Sequence, residues 1–277
     1  MKILVTGANG FIAKNFIKFS LNKGIKVTAL SRKKKSFSNK NLKWVRGKME
    51  KIDFTKYSKF DVLVHFAAAG IKANERNEID KIFEVNVYKS SQMVINAIKN
   101  NCKKFLIISS SSEFGETNIK SVGIKKNDIK NPSTIYGYSK VIFNKIILKF
   151  SKKYKCKFRV MRLFPVYGDG ENQDRLYSTI KNCSKNNGNL FLKNPFEIRD
   201  FSHIDFVVKI LFDALNFNKK KFKYYQTYHV SESNKLTILK FCTILWKRFN
   251  CLGKIKYKNR KRKLTNHISN KNSNWIL

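Results

Sequence analysis

Tyr136 and Lys140 stand four residues apart in the segment Tyr136-Gly137-Tyr138-Ser139-Lys140. On a helix that spacing puts both side chains on one face. An ammonium beside a phenol favours the phenolate and lowers its pKa from ~10. Tyr136 would then exchange a proton with an alcohol or a carbonyl near neutral pH. Four hydroxyls, Ser109-Ser110-Ser111-Ser112, follow the apolar run Phe105-Leu106-Ile107-Ile108. If that run is a strand of an open α/β sheet, its carboxyl end faces the ligand crevice. A Ser, Tyr and Lys gathered there can orient and protonate a carbonyl during hydride transfer.

A second constellation suits an anion. Gly7-Ala8-Asn9-Gly10-Phe11-Ile12-Ala13 lies between the apolar run Ile3-Leu4-Val5 and an amphipathic stretch. A glycine turn between strand and helix lets backbone N–H groups approach a pyrophosphate at the helix N-terminus, where the dipole favours negative charge. Ala13 stands at the third glycine position. At the end of the next strand, an acidic residue would bind the ribose 2′-hydroxyl of NAD. Ser31 and Arg32 stand there, followed by Lys33, Lys34 and Lys35. Serine and arginine suit a 2′-phosphate, so NADP(H) is favoured over NAD(H).

These groups need elements to carry them. Apolar runs predict strands near 2–6, 25–30, 42–45, 61–66, 105–108 and 158–161. Helical periodicity predicts helices over 11–23, 79–100, 138–154, 205–217 and 236–249. Nearly continuous apolar strands alternating with helices predict a parallel sheet covered on both faces. Residues 165–200 read as loops with one helix near 175–187. The 253–274 stretch is basic and poor in apolar groups.

With those motifs in order, the chain resembles the extended short-chain dehydrogenases/reductases, also called the NAD-dependent epimerase/dehydratase family. Thr6-Gly7-Ala8-Asn9-Gly10-Phe11-Ile12 is similar to the family's dinucleotide turn. Asp61-Val62-Leu63-Val64-His65-Phe66-Ala67-Ala68 resembles its fourth strand, whose end lies against the cofactor, and Asn86-Val87 an Asn that supports the site. Ile108 to Gly115 resembles the strand carrying the catalytic Ser or Thr; aligned on Phe114-Gly115, it selects Ser110. Arg162-Leu163-Phe164-Pro165-Val166-Tyr167-Gly168 resembles the segment that closes over nicotinamide. Arg199-Asp200-Phe201-Ser202-His203 resembles the stretch whose Arg binds a nucleotide-sugar diphosphate.

The resemblance implies an α/β, Rossmann-type doubly wound parallel sheet with a small C-terminal substrate-binding region. The dinucleotide-binding domain is expected over 1–164, with 203–230 returning to it. Residues 165–202 and 231–277 would form the substrate region. Tyr136 is implied as general acid/base, Ser110 as its hydrogen-bonding partner, and Lys140 as a further ligand of the nicotinamide ribose. Gly7, Asn9, Gly10, Phe11, Ile12, Ser31, Arg32, Met49, Phe66, Ala67, Ala68, Ile108 and Phe164 are expected around the cofactor. Ser111, Ser112, Arg175 and Arg199 are expected around the substrate. Lys48 stands where the family usually has an Asp near the adenine, and Pro165 replaces a common Asn.

Reductases consume a reduced cofactor, usually NADPH, whereas epimerases return the hydride they borrow. Ser31-Arg32 therefore points first to reduction of a 4-keto nucleotide sugar, and the segment Gly168-Asp169-Gly170-Glu171-Asn172-Gln173-Asp174-Arg175-Leu176 resembles sugar 4-ketoreductases more than typical epimerases; an epimerase is the alternative. Dehydratases of the family usually carry Asp-Glu where Ser111-Ser112 stand. The helix of Tyr136, with Ile142, Phe143, Ile146, Ile147 and Phe150, has an apolar surface compatible with a homodimer.

Composition bounds the rest. The 277 residues include 58 Lys and Arg against 18 Asp and Glu, a formal charge of +40. Lysine supplies 48 of the 58, spread along the chain, whereas nucleic-acid readers cluster their basic groups and use Arg forks. The basic run at 256–263 motivates a remote alternative, a nucleic-acid-binding or regulatory protein on the same fold. The five cysteines form no CxxC pair, so neither a zinc ribbon nor a disulfide framework is predicted, and no metal site is expected. The first apolar run stops at Thr6-Gly7 and no run approaches the ~18 residues a membrane helix needs. A cytoplasmic enzyme is expected.

Overall fold

A computed structural model describes the chain except for residues 33–35, 57–58, 72–77, 116–122, 219–223, 258–266 and 276–277. Seven parallel strands form the central sheet: β1 (Lys2–Thr6), β2 (Lys26–Ser31), β3 (Leu42–Arg46), β4 (Val62–His65), β5 (Lys104–Ser110), β6 (Lys157–Leu163) and β11 (Tyr225–Val230). Their order is β11-β6-β5-β4-β1-β2-β3. The chain runs outward from β1 in one direction, then returns and runs outward in the other. The reversal beside β1 opens a crevice at the carboxyl ends of the strands.

Each strand face is buried because each is covered. On one side Phe16 and Ile17 of α1 (Phe11–Asn22) and Val207 and Leu211 of α6 (Ile204–Asp213) pack on Ile3, Val5 and Val64. On the other, Met93 and Ala97 of α3 (Ser90–Lys99) and Phe143 and Ile147 of α4 (Ile135–Lys153) pack on Leu4, Leu63 and Ile107. A separate apolar cluster joins α5 (Leu176–Asn186) to α7 (Ile238–Arg248), centred on Phe201 and Phe241, whose rings stack 3.8 Å apart. Short pairs surround it: β7 (Val166–Tyr167) with β10 (Ser202–His203), β8 (Leu190–Leu192) with β13 (Ile255–Tyr257), and β9 (Ile198–Asp200) with β12 (Lys235–Thr237).

Three departures from the sequence pattern have physical causes. The helix expected over 79–100 is broken into α2 (Ile79–Phe83), a π-helical stretch (Glu84–Lys89) and α3. The widened turn carries Asn86, which is buried and bonded to three groups outside its own helix. Helix α4 starts at Ile135 rather than 138, because the Thr134 hydroxyl caps it by accepting from the Gly137 amide at 3.0 Å. Strand β11 has no apolar run to announce it. It is an edge strand, YQTYHV, half-exposed over its first four residues.

The C-terminal segment is clasped to that edge. The Arg159 guanidinium lies 4.6 Å from the Phe217 ring centre and 4.5 Å from that of Trp275. The Trp275 amide donates to the His229 carbonyl at 2.9 Å, and its indole N–H to Asp213 at 2.8 Å. Among the described residues, no helix is long and apolar enough to cross a membrane.

Candidate active site

The glycine turn lies at the mouth of the crevice. Gly7 has φ +66°, and a Cβ there would sit 2.6 Å from the Ala67 amide nitrogen. Only glycine lets the turn close onto the end of β4. Gly10 begins α1 with no side-chain cap, and the first turn holds no acidic residue. The helix therefore presents its amides and its positive end without an internal anion. Phe11, Ile12, Phe66, Ala67 and Ala68 are half-buried around it. This donor set fits a dinucleotide pyrophosphate, which needs backbone N–H groups and close approach.

At the second selector position, the Asn9 amide donates to the Ser31 hydroxyl at 2.8 Å. Ser31 is buried and Arg32 is exposed; Lys33, Lys34 and Lys35 lie outside the described residues. Met49 is buried among Leu30, Ile52 and Phe54.

Tyr136 and Lys140 share one face of α4, as their spacing requires. Close packing brings that face to β5: a Cβ on Gly137 would fall 2.3 Å from the Ser112 carbonyl oxygen. Ser110 ends β5 and caps the short 3-10 turn Ser111–Phe114 by accepting from the Ser112 amide at 3.1 Å. Its hydroxyl lies close enough to the Tyr136 phenol to favour the phenolate. The Lys140 ammonium lies 5.7 Å from the Tyr136 ring centre and donates to the Ile108 carbonyl at 3.3 Å.

The electrostatics differ from the sequence expectation. Burial raises the Tyr136 pKa to about 12; Arg175 pulls it down, Glu113 pushes it up, and the nearby Ser110 hydroxyl pulls it down. Burial lowers Lys140 to about 8, with Glu113 opposing. Lysine beside tyrosine does not by itself make a phenolate, because desolvation disfavours the charged form of both groups.

Of the four serines, Ser110 and Ser112 are half-exposed, whereas Ser109 and Ser111 are buried. Ser109 donates to Glu113 at 2.6 Å. The 3-10 turn folds Ser111 inward, whereas Ser112 stays half-exposed beside the crevice. Phe164 is buried with Phe114 and Ile124, its ring 5.2 Å from His229 and 5.6 Å from His267. Its ring serves core packing, which leaves its backbone for any ligand contact. Arg175 precedes α5 and is exposed, close enough to act on Tyr136. Arg199 pairs with Glu197 at 2.5 Å, so one arm of its fork is already engaged.

Sequence reasoning named Asn86 as a support of the site but missed the rest of the buried polar layer beneath it. His65 bridges the Thr6 hydroxyl at 2.7 Å and the Ser90 hydroxyl at 3.0 Å. Burial, with Lys140 adding to it, pushes His65 down to about 3, so it is neutral. Asn86 accepts from the Ala69 amide at 2.8 Å and donates to the Ala69 carbonyl at 3.1 Å and the Ser139 hydroxyl at 2.9 Å. Glu113 and Asn144 meet at 2.7 Å. The available signal was Asn144, a third polar residue one turn beyond Lys140 in the row that Tyr136 begins.

A model of the NAD dependent epimerase/dehydratase family matches residues 3–230. The chain belongs to that family. An uncharacterized UDP-glucose epimerase of Bacillus subtilis (strain 168) is 22% identical over 262 residues, 88% of this chain and 81% of that one. The CDP-abequose synthase of Salmonella typhimurium (strain LT2) is 25% identical over 252 residues, 88% of this chain and 79% of that one. Among solved structures, the UDP-glucuronic acid 4-epimerase of Bacillus cereus, in complex with UDP-glucuronic acid and NAD, superposes with a TM-score of 0.83 at 20% identity. That likeness covers 97% of this chain and 90% of the other, and it concerns the fold. All five cysteines are unpaired. Of the basic run at 256–263, Lys256 and Tyr257 are exposed and the rest lies outside the described residues.

Proposed function

We propose that this family member is a nucleotide-sugar epimerase that uses NAD. The observation that carries the reading is the meeting of Ser110, Tyr136 and Lys140 at the end of β5, across the crevice from the uncapped start of α1. The relatives named as epimerases support it over net reduction, and NAD stands in the Bacillus cereus complex. NAD, when bound, accepts a hydride from the sugar and returns one.

The chain's own residues do the rest. The α1 amides and the Gly7 turn hold the pyrophosphate. Ser110 and Tyr136 hold the reacting sugar oxygen between two hydroxyls, and Tyr136 exchanges its proton. Lys140 orients the ribose and keeps positive charge beside the phenol. With Tyr136 at about 12, the resting phenol keeps its proton; the oxidation half needs its phenolate, which takes the sugar hydroxyl's proton as the hydride leaves, and the return half gives that proton back. Arg175 already pulls it down, and each further cation beside it adds to that pull. Arg199 and Arg175 are the candidate diphosphate ligands. The half-buried Ile142, Ile146 and Phe150 of α4 are the surface on which a homodimer would form.

The test is direct. Purified protein with NAD is incubated with UDP-glucose, UDP-N-acetylglucosamine and UDP-glucuronic acid, and the C4 epimer is sought by proton NMR. Tyr136→Phe should lower the rate by 10²–10⁴, the usual weight of a general acid/base. No epimer from any of these sugars, with NADPH consumed on a 4-keto-6-deoxy nucleotide sugar, would replace the proposal by its alternative. That second reading, a 4-ketoreductase using NADP(H), draws on Arg32 at the end of β2 and on the CDP-abequose synthase similarity.

A further inference from the structure

Tyr136, Lys140 and Asn144 form one row on α4, each four residues after the last. Opposite the far end of the row lies Glu113, with 0% of its side chain exposed. One carboxylate oxygen accepts from Ser109 at 2.6 Å and from Asn144 at 2.7 Å, and Asn144 also donates to Ser109 at 3.0 Å. The other oxygen accepts from the Arg162 Nε at 2.9 Å. Arg162 in turn donates from Nη1 to the Lys126 carbonyl at 3.1 Å.

A buried ion pair is a poor way to stabilise a core, because removing two charges from water costs as much as their attraction returns. Its position is what calls for explanation. Glu113 sits three residues after Ser110 in the same turn, and its field reaches the Tyr136 phenol and the Lys140 ammonium. Among the described residues it is the one acidic group acting on Lys140. The other charged or titratable groups around it are Arg162 on β6, Tyr225 on β11 and Lys130 ahead of α4.

We propose that Glu113 is a positioning residue of the Ser110–Tyr136–Lys140 site: through Asn144, one turn beyond Lys140, it clamps the Ser110 turn to α4 and sets a buried negative charge on the face that carries Lys140. The site's reactivity rests on the function proposed above; the placement of Glu113 does not. The sign of its effect follows. Burial has brought Lys140 to about 8 while Glu113 pulls upward. Without the carboxylate the ammonium loses its proton at lower pH.

The experiment needs no sugar. Trace labelling of the Lys140 amine with acetic anhydride, read by peptide mass spectrometry across pH, reports its titration midpoint in the full-length protein. Glu113→Gln keeps the shape and removes the charge, and should lower that midpoint. Should the unpaired Arg162 unfold that variant, Glu113→Gln with Arg162→Met removes both charges and should give a fall in the same direction, smaller because the opposing Arg162 charge is gone as well. An unchanged midpoint in the folded variant overturns the proposal. Asn144→Leu cuts the clamp and keeps the charge: the midpoint should stay, and hydrogen exchange at the Ser112 amide should quicken. A midpoint that falls there as in the Gln variant would assign the effect to packing and overturn the role of charge. These outcomes stand whether or not the epimerase assay succeeds.

Discussion

Asn86→Leu removes the polar groups that join the end of β4 to α4 while roughly conserving volume. Asn86 is 1% exposed and makes three hydrogen bonds: two to the backbone of Ala69 and one to Ser139, which itself donates to the Tyr136 carbonyl at 2.7 Å. The substitution leaves the buried Ala69 N–H and C=O without those partners. Each orphaned buried group costs about 1–3 kcal/mol, so the total is about 2–6 kcal/mol. Against a typical stability of 5–15 kcal/mol that is a large fraction. For a chain of this size it corresponds to a melting-temperature fall of roughly 5–20 °C. A urea titration followed by circular dichroism measures the loss, and hydrogen exchange at Ala69 localises it. The same variant should weaken NADH binding in a fluorescence titration, because Ala67 and Ala68 immediately precede the anchored residue. A midpoint within experimental error of the parent, with unchanged exchange at Ala69, would refute the view that Asn86 holds the two halves of the site together.

Two further outcomes follow from named contacts. Gly7→Ala places a methyl group 2.6 Å from the Ala67 nitrogen at a backbone φ of +66°, at a strain of about 1–3 kcal/mol. It should weaken NADH binding at least about tenfold, the equivalent of about 1.4 kcal/mol; unaltered binding would exclude the turn as the pyrophosphate cradle. The protein should also lose stability on acidification. His65 and His229 are held to about 3 and His267 to about 4, chiefly by burial, so all three are neutral when folded and take protons only on unfolding below about 6.5. Glu171, raised to about 7 by burial, works the other way between about 4.5 and 7. Asp200, also raised by burial, works with Glu171, but the three histidines outnumber these two carboxyls, so stability falls as pH drops below about 6.5. Urea midpoints at pH 7 and pH 5 test this, and a midpoint that is higher at pH 5 would show the histidines to be accessible.

The sequence by itself determined the sheet and the alignment of its functional motifs. Apolar runs mark strands wherever both faces are covered, so β1, β4 and β5 were legible from Ile3-Leu4-Val5, Val62-Leu63-Val64 and Phe105-Leu106-Ile107. The glycine turn and the four-residue spacing of Tyr136 and Lys140 are local, and local geometry follows from local sequence. Edge strand β11 was not legible, because one-sided burial leaves only a weak pattern in Tyr225-Gln226-Thr227-Tyr228. Tertiary structure alone decided the charges. Whether Lys140 lowers Tyr136 depends on how much water each has lost, and burial carried them to about 8 and about 12. Tertiary structure alone also brought Glu113 of the β5 turn, Asn144 of α4 and Arg162 of β6 to one point. The three come from different elements, and spacing along the chain carries no information about contacts that only packing creates.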